Sequence, residues 1–106
     1  MLTTLIGCCN VDNMERKAKP LVKERVKLSD DAFAEIRIVQ VPEPVRGSTH
    51  LYKYGLVYVV AGQCVLRYDN EAGKGDHKHI GSQEVAYGFT TLDQLIDDFW
   101  ADIAQL

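Results

Sequence analysis

The segment 50–60 constrains the fold most, because aromatic and branched apolar side chains recur there at every second position. One set of alternate positions holds Tyr52, Tyr54, Leu56, Tyr58 and Val60. The other set holds Leu51, Lys53, Gly55, Val57 and Val59. A period of two is typical of a β-strand with two different faces. Ala61 and Gly62 then suit a two-residue hairpin turn, so residues 63–68 are predicted to return as the next strand.

Two earlier segments predict a first hairpin. Residues 21–28 alternate between apolar side chains and basic ones, and the basic set is Lys23, Arg25 and Lys27. Residues 33–41 are rich in β-branched side chains, and the turn-forming sequence 29–31 lies between the two segments. Prolines at positions 42 and 44 then interrupt the ladder, since proline has no backbone N–H to donate. The sequence does not decide whether residues 84–87 form a further short strand.

The C-terminal segment predicts one amphipathic helix. Thr91 is the expected N-cap, with Gln94 completing a capping box. Apolar side chains recur at helical spacing, at Leu92, Leu95, Ile96, Phe99, Ile103 and Leu106. Four aspartates lie mostly off this stripe and are expected to face solvent, namely Asp93, Asp97, Asp98 and Asp102. The predicted fold is α+β: an antiparallel β-sheet meander of four to five strands, with one C-terminal amphipathic helix packed on one face.

Composition narrows the class of protein. A length of 106 residues with 46% hydrophobic side chains is ordinary for one globular domain, and the net charge of −3 argues against bulk attraction to nucleic acid. The three cysteines have no zinc-binding spacing, which favours a reducing compartment. No apolar run approaches the ~20 residues that span a bilayer. We therefore expect a cytoplasmic protein with no membrane partner.

The first thirteen residues differ in character from the rest of the chain. A basic, domain-like sequence begins at Met14, so we expect Met14, rather than Met1, to be the native start. On this interpretation residues 1–13 are an N-terminal extension and residues 14–106 form a single domain.

The segment 67–81 concentrates the polar chemistry. It holds an arginine, two lysines, two of the three histidines, three carboxylates and an asparagine. Because buried charges need partners, we expect this segment to run from the end of a strand into a loop outside the core. Its three glycines permit positive φ and close approach to a ligand.

Within this segment, His77 and His79 suit general acid–base chemistry. They stand two residues apart, so in an extended chain both imidazoles point to the same side, and the adjacent Asp76 is the candidate to orient one ring. The candidates for binding phosphate or RNA are Arg67, Lys74, Lys78, Tyr68, Tyr54 and His50. Cations stabilise the charge of a phosphodiester transition state, and tyrosines stack on bases. This set predicts a metal-independent endoribonuclease without a cofactor.

Two metal-binding alternatives stay open. The two histidines can share a metal ion if a third ligand comes from elsewhere, such as His50 or Asp76. Carboxylates can instead hold Mg²⁺, with Asp69, Glu71 and Asp76 as the ligands.

Several stretches of the chain resemble the TumE family of bacterial type II toxins. These are residues 41–45, His50 to Tyr54, and above all the run from Arg67 to Glu71 followed by Gly73 to His79. The resemblance implies a small growth-inhibiting protein of the cytoplasm, with a helix-turn-helix antitoxin encoded nearby and RNA as the suspected target. The alternative is a non-enzymatic binding module whose loop 67–81 occupies a protein or nucleic-acid partner.

Overall fold

The computed structural model describes residues 18–106, and among these it shows one antiparallel sheet and one helix. The strands are β1 (Lys19–Ser29), β2 (Ala32–Gln40), β3 (Tyr52–Val60), β4 (Gln63–Glu71), β5 (Gly75–Ile80) and β6 (Gln83–Ala86), and the helix is α1 (Leu92–Ala104). The strands are neighbours in chain order, which makes the sheet a meander. The α+β class and the C-terminal helix are confirmed. The predictions for residues 1–13 and for a start at Met14 lie outside the described residues.

The predicted count of four to five strands is wrong, because the sheet has six. The difference comes from the segment 67–81, which forms the β4–β5 hairpin and not a loop. Gly73 and Gly75 have φ of 88° and 76°, values that favour glycine, and they allow the chain to reverse between the two strands. The expectation that this segment lies outside the core is also wrong for Asp69, Asn70 and His77, which are buried.

Even-numbered side chains of the central strands form the core beneath α1. The fully or almost fully buried members are Ala34, Ile36, Ile38, Tyr54, Leu56, Leu66, Tyr68, Leu95 and Phe99. The ring of Phe99 meets the ring of Tyr68 edge to face, with centroids 5.8 Å apart. Fully burying one large apolar side chain stabilises a fold by about 1.5–3 kcal/mol, so this layer fixes the helix on one face of the sheet.

The cap of α1 is confirmed in part. The Gln94 backbone N–H donates to Thr91 Oγ1 at 3.1 Å, but the Gln94 side chain donates to Asp98 and does not reach back to residue 91. Asp98 also accepts from the Tyr87 hydroxyl, and Asp102 accepts from Lys78 Nζ at 2.9 Å. The expectation of a solvated aspartate face is therefore wrong for these two aspartates, which connect the helix to the sheet.

Most odd-numbered side chains of β1 to β5, together with Glu84 of β6, point away from α1 and form what we call the open face. Its central side chains are nevertheless buried, among them Glu35, Val57 and Val59. In the described part of the chain, no helix covers this face. It carries the basic side chains Lys23, Arg25 and Lys27 of β1, as the alternation in the sequence predicts. None of the helical residues between 18 and 106 forms a stretch long and apolar enough to cross a membrane.

Candidate functional site

The register of the sheet gathers acidic, basic and imidazole side chains on the open face. His77 pairs with Asp69, and His79 pairs with Arg67 on one side and Glu84 on the other. Directly paired residues of antiparallel strands place their side chains on the same face, with Cβ atoms about 5 Å apart. We call Asp69, His77, His79 and Glu84 the open-face cluster.

The open-face cluster has a buried part and an accessible part. His77 Nε2 lies 2.8 Å from Asp69 Oδ1, and both side chains are less than a tenth exposed. The His79 side chain is 25% exposed and the Glu84 side chain 38% exposed, and His79 Nε2 lies 3.8 Å from Glu84 Oε2. The two imidazole rings meet edge to face at 5.1 Å. A substrate can therefore reach His79 and Glu84, with His77 and Asp69 behind them.

The backbone fixes the orientation and the tautomer of His77. Its Nδ1 lies 3.0 Å from the carbonyl oxygen of Gly75. A carbonyl oxygen only accepts hydrogen bonds, so Nδ1 carries the proton that it donates to Gly75. Although His77 Nε2 and Asp69 Oδ1 are close, they lack the alignment of a hydrogen bond, and both atoms are buried without a hydrogen-bond partner.

Two cations flank the open-face cluster. Arg67 Nε lies 3.5 Å from Asp69 Oδ2. Lys74 Nζ lies 3.0 Å from Glu84 Oε2 and 3.8 Å from Glu71 Oε1. The hydrogen bond between Lys74 and Glu84 is the main reason that the pKa of Lys74 is raised and the pKa of Glu84 is lowered. The cluster thus places exposed positive charge beside the accessible imidazole.

The β4–β5 turn is braced by the segment that follows β2. The backbone N–H of Gly73 donates to the carbonyl oxygen of Arg46 at 2.7 Å. Gly47 and Gly75 approach so closely that a Cβ on Gly75 would lie 2.7 Å from the Gly47 carbonyl oxygen. This close contact fixes the position of Gly75, whose carbonyl oxygen accepts the hydrogen bond from the His77 ring.

Asp76 lies on the other face of the sheet and does not orient His77 or His79. Its carboxylate is 2.7 Å from His50 Nε2 and accepts from the hydroxyls of Tyr54 at 2.7 Å and Ser48 at 2.5 Å. Successive strand residues point to opposite faces, which separates Asp76 from His77. The neighbour of His77 is Asp69.

The proposed phosphate and RNA ligands are divided between the two faces. Arg67 and Lys74 lie beside the histidines on the open face. The other four make internal contacts on the helix-covered side, namely His50, Tyr54, Tyr68 and Lys78. Tyr54 and Tyr68 are fully buried, so neither ring can stack on a base without opening the core.

Burial and hydrogen bonding also explain the titration of these tyrosines. Burial is the largest cause of a strongly raised pKa at Tyr54, followed by its hydrogen bond to Asp76. Tyr68 follows the same order, with Asp102 as the acceptor, and its pKa is likewise raised. Both hydroxyls therefore stay protonated and act as hydrogen-bond donors to carboxylates.

Sequence reasoning did not connect Asp69 to His77 and missed Glu84 altogether. The sequence signal for these contacts was the glycine at position 73, which indicates a turn at residues 72–74. A chain reversal there pairs Asp69 with His77 and Arg67 with His79. Glu84 required the β5–β6 hairpin, whose second strand the sequence left open.

The metal-binding alternatives also change with the register. Asp69 and Glu71 lie on the open face and Asp76 on the other, so these three carboxylates do not converge on one ion. Asp69, His77 and His79 do converge, because one ligand atom from each lies within 4.8 Å of the others.

Comparison with known proteins gives one match. The family model described as toxin TumE matches residues 10–106, nearly the whole chain. No curated protein and no solved structure matches the chain. The extent of the family match shows that this chain belongs to the TumE family of toxins.

Proposed function

We propose that this toxin stops growth by cleaving RNA in the cytoplasm, with the open-face cluster as its catalytic centre. The observation that supports this most is the arrangement of His77 and His79 beside Arg67 and Lys74, on the face that α1 leaves uncovered. Membership of a toxin family agrees with a growth-inhibiting role. We further propose that a helix-turn-helix antitoxin encoded nearby neutralises the protein.

The chemistry of RNA suits such a centre. The ribose 2′-hydroxyl attacks its own phosphate, so the enzyme must accept one proton, deliver another to the leaving oxygen and stabilise the added negative charge. In the absence of a bound ion, His79 is the imidazole that can exchange a proton with the substrate, because His77 is buried. Arg67 and Lys74 supply positive charge next to it.

Basic side chains extend from this centre across the open face. The register places Arg37 beside Lys23 on β1, in the same row of the sheet as Asp69 and His77. Arg25 lies in the neighbouring row, with Arg67 and His79. Cations on one face can attract a phosphate backbone locally, even where a carboxylate such as Glu35 lies between them and the net charge is −3.

The test is induced expression in a bacterial host, with growth and total RNA integrity followed together. The wild type is expected to arrest growth and fragment RNA, whereas a His77→Ala/His79→Ala variant is expected to do neither. Circular dichroism and binding to the product of the neighbouring gene serve as controls, and both should survive the substitution. Arrest with intact RNA would instead favour the non-enzymatic binding module.

A further inference from the structure

We infer that Asp69, His77 and His79 bind one divalent transition-metal ion, with Zn²⁺ as the reference ion. The ligands are Asp69 Oδ1, His77 Nε2 and a ring nitrogen of His79. The catalytic meaning of this site rests on the proposed function, whereas the binding itself does not. Such an ion would be a cofactor of a centre that the sequence predicts to work without one.

The ligand atoms are already close enough for shared coordination. One atom from each residue lies within 4.8 Å of the other two. Two ligands at the usual ~2.0–2.2 Å from Zn²⁺ stand roughly 3.3–4 Å apart, so the side chains need to move by only about 1 Å. The β4–β5 pairing holds all three on one face of the sheet.

Two buried atoms of the cluster lack a hydrogen-bond partner. His77 Nε2 and Asp69 Oδ1 are 2.8 Å apart, buried, and make no hydrogen bond. Buried polar atoms without a partner are rare, because an unpaired polar group in a low-dielectric interior costs free energy. A metal ion bound to both atoms satisfies them together.

The surroundings of His77 match those of a metal ligand. Histidines that bind metals generally donate the other ring N–H to a carbonyl or carboxylate, which fixes the tautomer. His77 Nδ1 likewise lies at hydrogen-bond distance, 3.0 Å, from the Gly75 carbonyl oxygen. On the carboxylate side, Arg67 Nε lies 3.5 Å from Asp69 Oδ2 and leaves Oδ1 to the ion.

The donor set indicates the kind of ion. Two imidazole nitrogens and one carboxylate oxygen suit Zn²⁺ and neighbouring transition ions, whereas Mg²⁺ and Ca²⁺ prefer oxygen ligands alone. Three protein ligands leave at least one coordination position for water, for substrate or for Glu84, whose Oε2 lies 3.5 Å from His77 Nε2 and 3.8 Å from His79 Nε2. At these positions an ion can act as a Lewis acid on a phosphate oxygen or activate a bound water. His79 then serves as a ligand, and the bound water takes over proton transfer.

The experiment is a titration of chelator-treated, full-length protein with Zn²⁺ and with Co²⁺. A Cys8→Ser/Cys9→Ser/Cys64→Ser background removes competing thiols. Isothermal calorimetry is expected to show one ion per chain, and Co²⁺ is expected to give visible absorption bands. His77→Gln and Asp69→Asn should each lower the affinity by at least about 10-fold, the smallest loss usual even for groups that only support a ligand. His50→Gln is the matched control, since it removes the remaining histidine on the opposite face, and it should bind like the parent.

A second readout protects the test against misfolded variants. In the unsubstituted protein with labelled imidazole nitrogens, Zn²⁺ should shift the nitrogen resonances of His77 and His79 and leave those of His50 in place. Absence of one-to-one binding would overturn the inference, as would equal affinity in all variants or a shift at His50 alone. Metal binding without RNA cleavage would support the metal site and contradict the proposed function.

Discussion

Substitution of Gly75 tests how the β4–β5 turn positions the open-face cluster. Gly75 has φ of 76°, and a Cβ there would lie 2.7 Å from the carbonyl oxygen of Gly47. Positive φ costs a residue with a side chain about 1–2 kcal/mol. Overlap with a packed neighbour adds about 1–3 kcal/mol, since the obstacle is backbone and not a flexible side chain. Gly75→Ala should therefore lower the free energy of unfolding by about 2–5 kcal/mol.

Gly62 offers a matched control. Its φ is 79°, but a Cβ there would meet nothing within 4 Å, so Gly62→Ala retains the backbone strain without the overlap. We expect Gly62→Ala to cost only about 1–2 kcal/mol. Urea denaturation gives the free energy of unfolding of both variants, and the difference between the two losses measures the overlap with Gly47. Equal destabilisation of the two variants would refute the claim that Gly47 and Gly75 brace the turn.

The remaining predictions concern α1 and its contacts with the sheet. Phe99→Ala should lower the free energy of unfolding by about 3–5 kcal/mol, because it leaves a cavity at the centre of the core. Leu106 is 59% exposed, so Leu106→Ala should change the free energy of unfolding by less than about 0.5 kcal/mol. Burial alone would raise the pKa of Asp102, but the hydrogen bonds from Tyr68 and Lys78 outweigh it and lower that pKa below its usual range. A lowered pKa in the folded state contributes stability above pH ~4 that is lost as the pH falls through the folded-state pKa. Asp102→Asn should therefore flatten the acid limb of a stability-against-pH curve, and an unchanged acid limb would contradict this assignment.

The strands and the helix were predictable where the pattern was local. The alternation along β3 gives the two faces correctly, and Tyr54 and Leu56 lie in the core. Ala61 and Gly62 both have positive φ, as a two-residue hairpin turn of type I′ requires. Thr91 caps α1 because its side-chain oxygen satisfies a free N–H of the first turn. Each of these signals depends on neighbours within a few residues.

The open-face cluster was predictable only in part, because it depends on strand pairing. Polarity in the segment 67–81 suggested a loop, but strands with partners for their polar side chains can be polar as well. Once the turn is placed at residues 72–74, the strand register pairs Asp69 with His77. It also places Asp76 on the opposite face, where its carboxylate contacts His50. Contacts such as that between Lys78 and Asp102 join residues 24 positions apart in the sequence, and no local pattern indicates them.

The decisive experiment is cleavage of a defined RNA by the purified protein. The substrate is one end-labelled RNA, with a second version that carries a single 2′-deoxy nucleotide at the cut position. We expect cleavage that requires the 2′-hydroxyl, and a rate at least about 10²-fold lower in the His77→Ala/His79→Ala variant. Lack of cleavage by folded wild-type protein supplied with Zn²⁺ would contradict the proposed ribonuclease activity. Equal cleavage of the 2′-deoxy substrate, or full activity in the double variant, would contradict it as well.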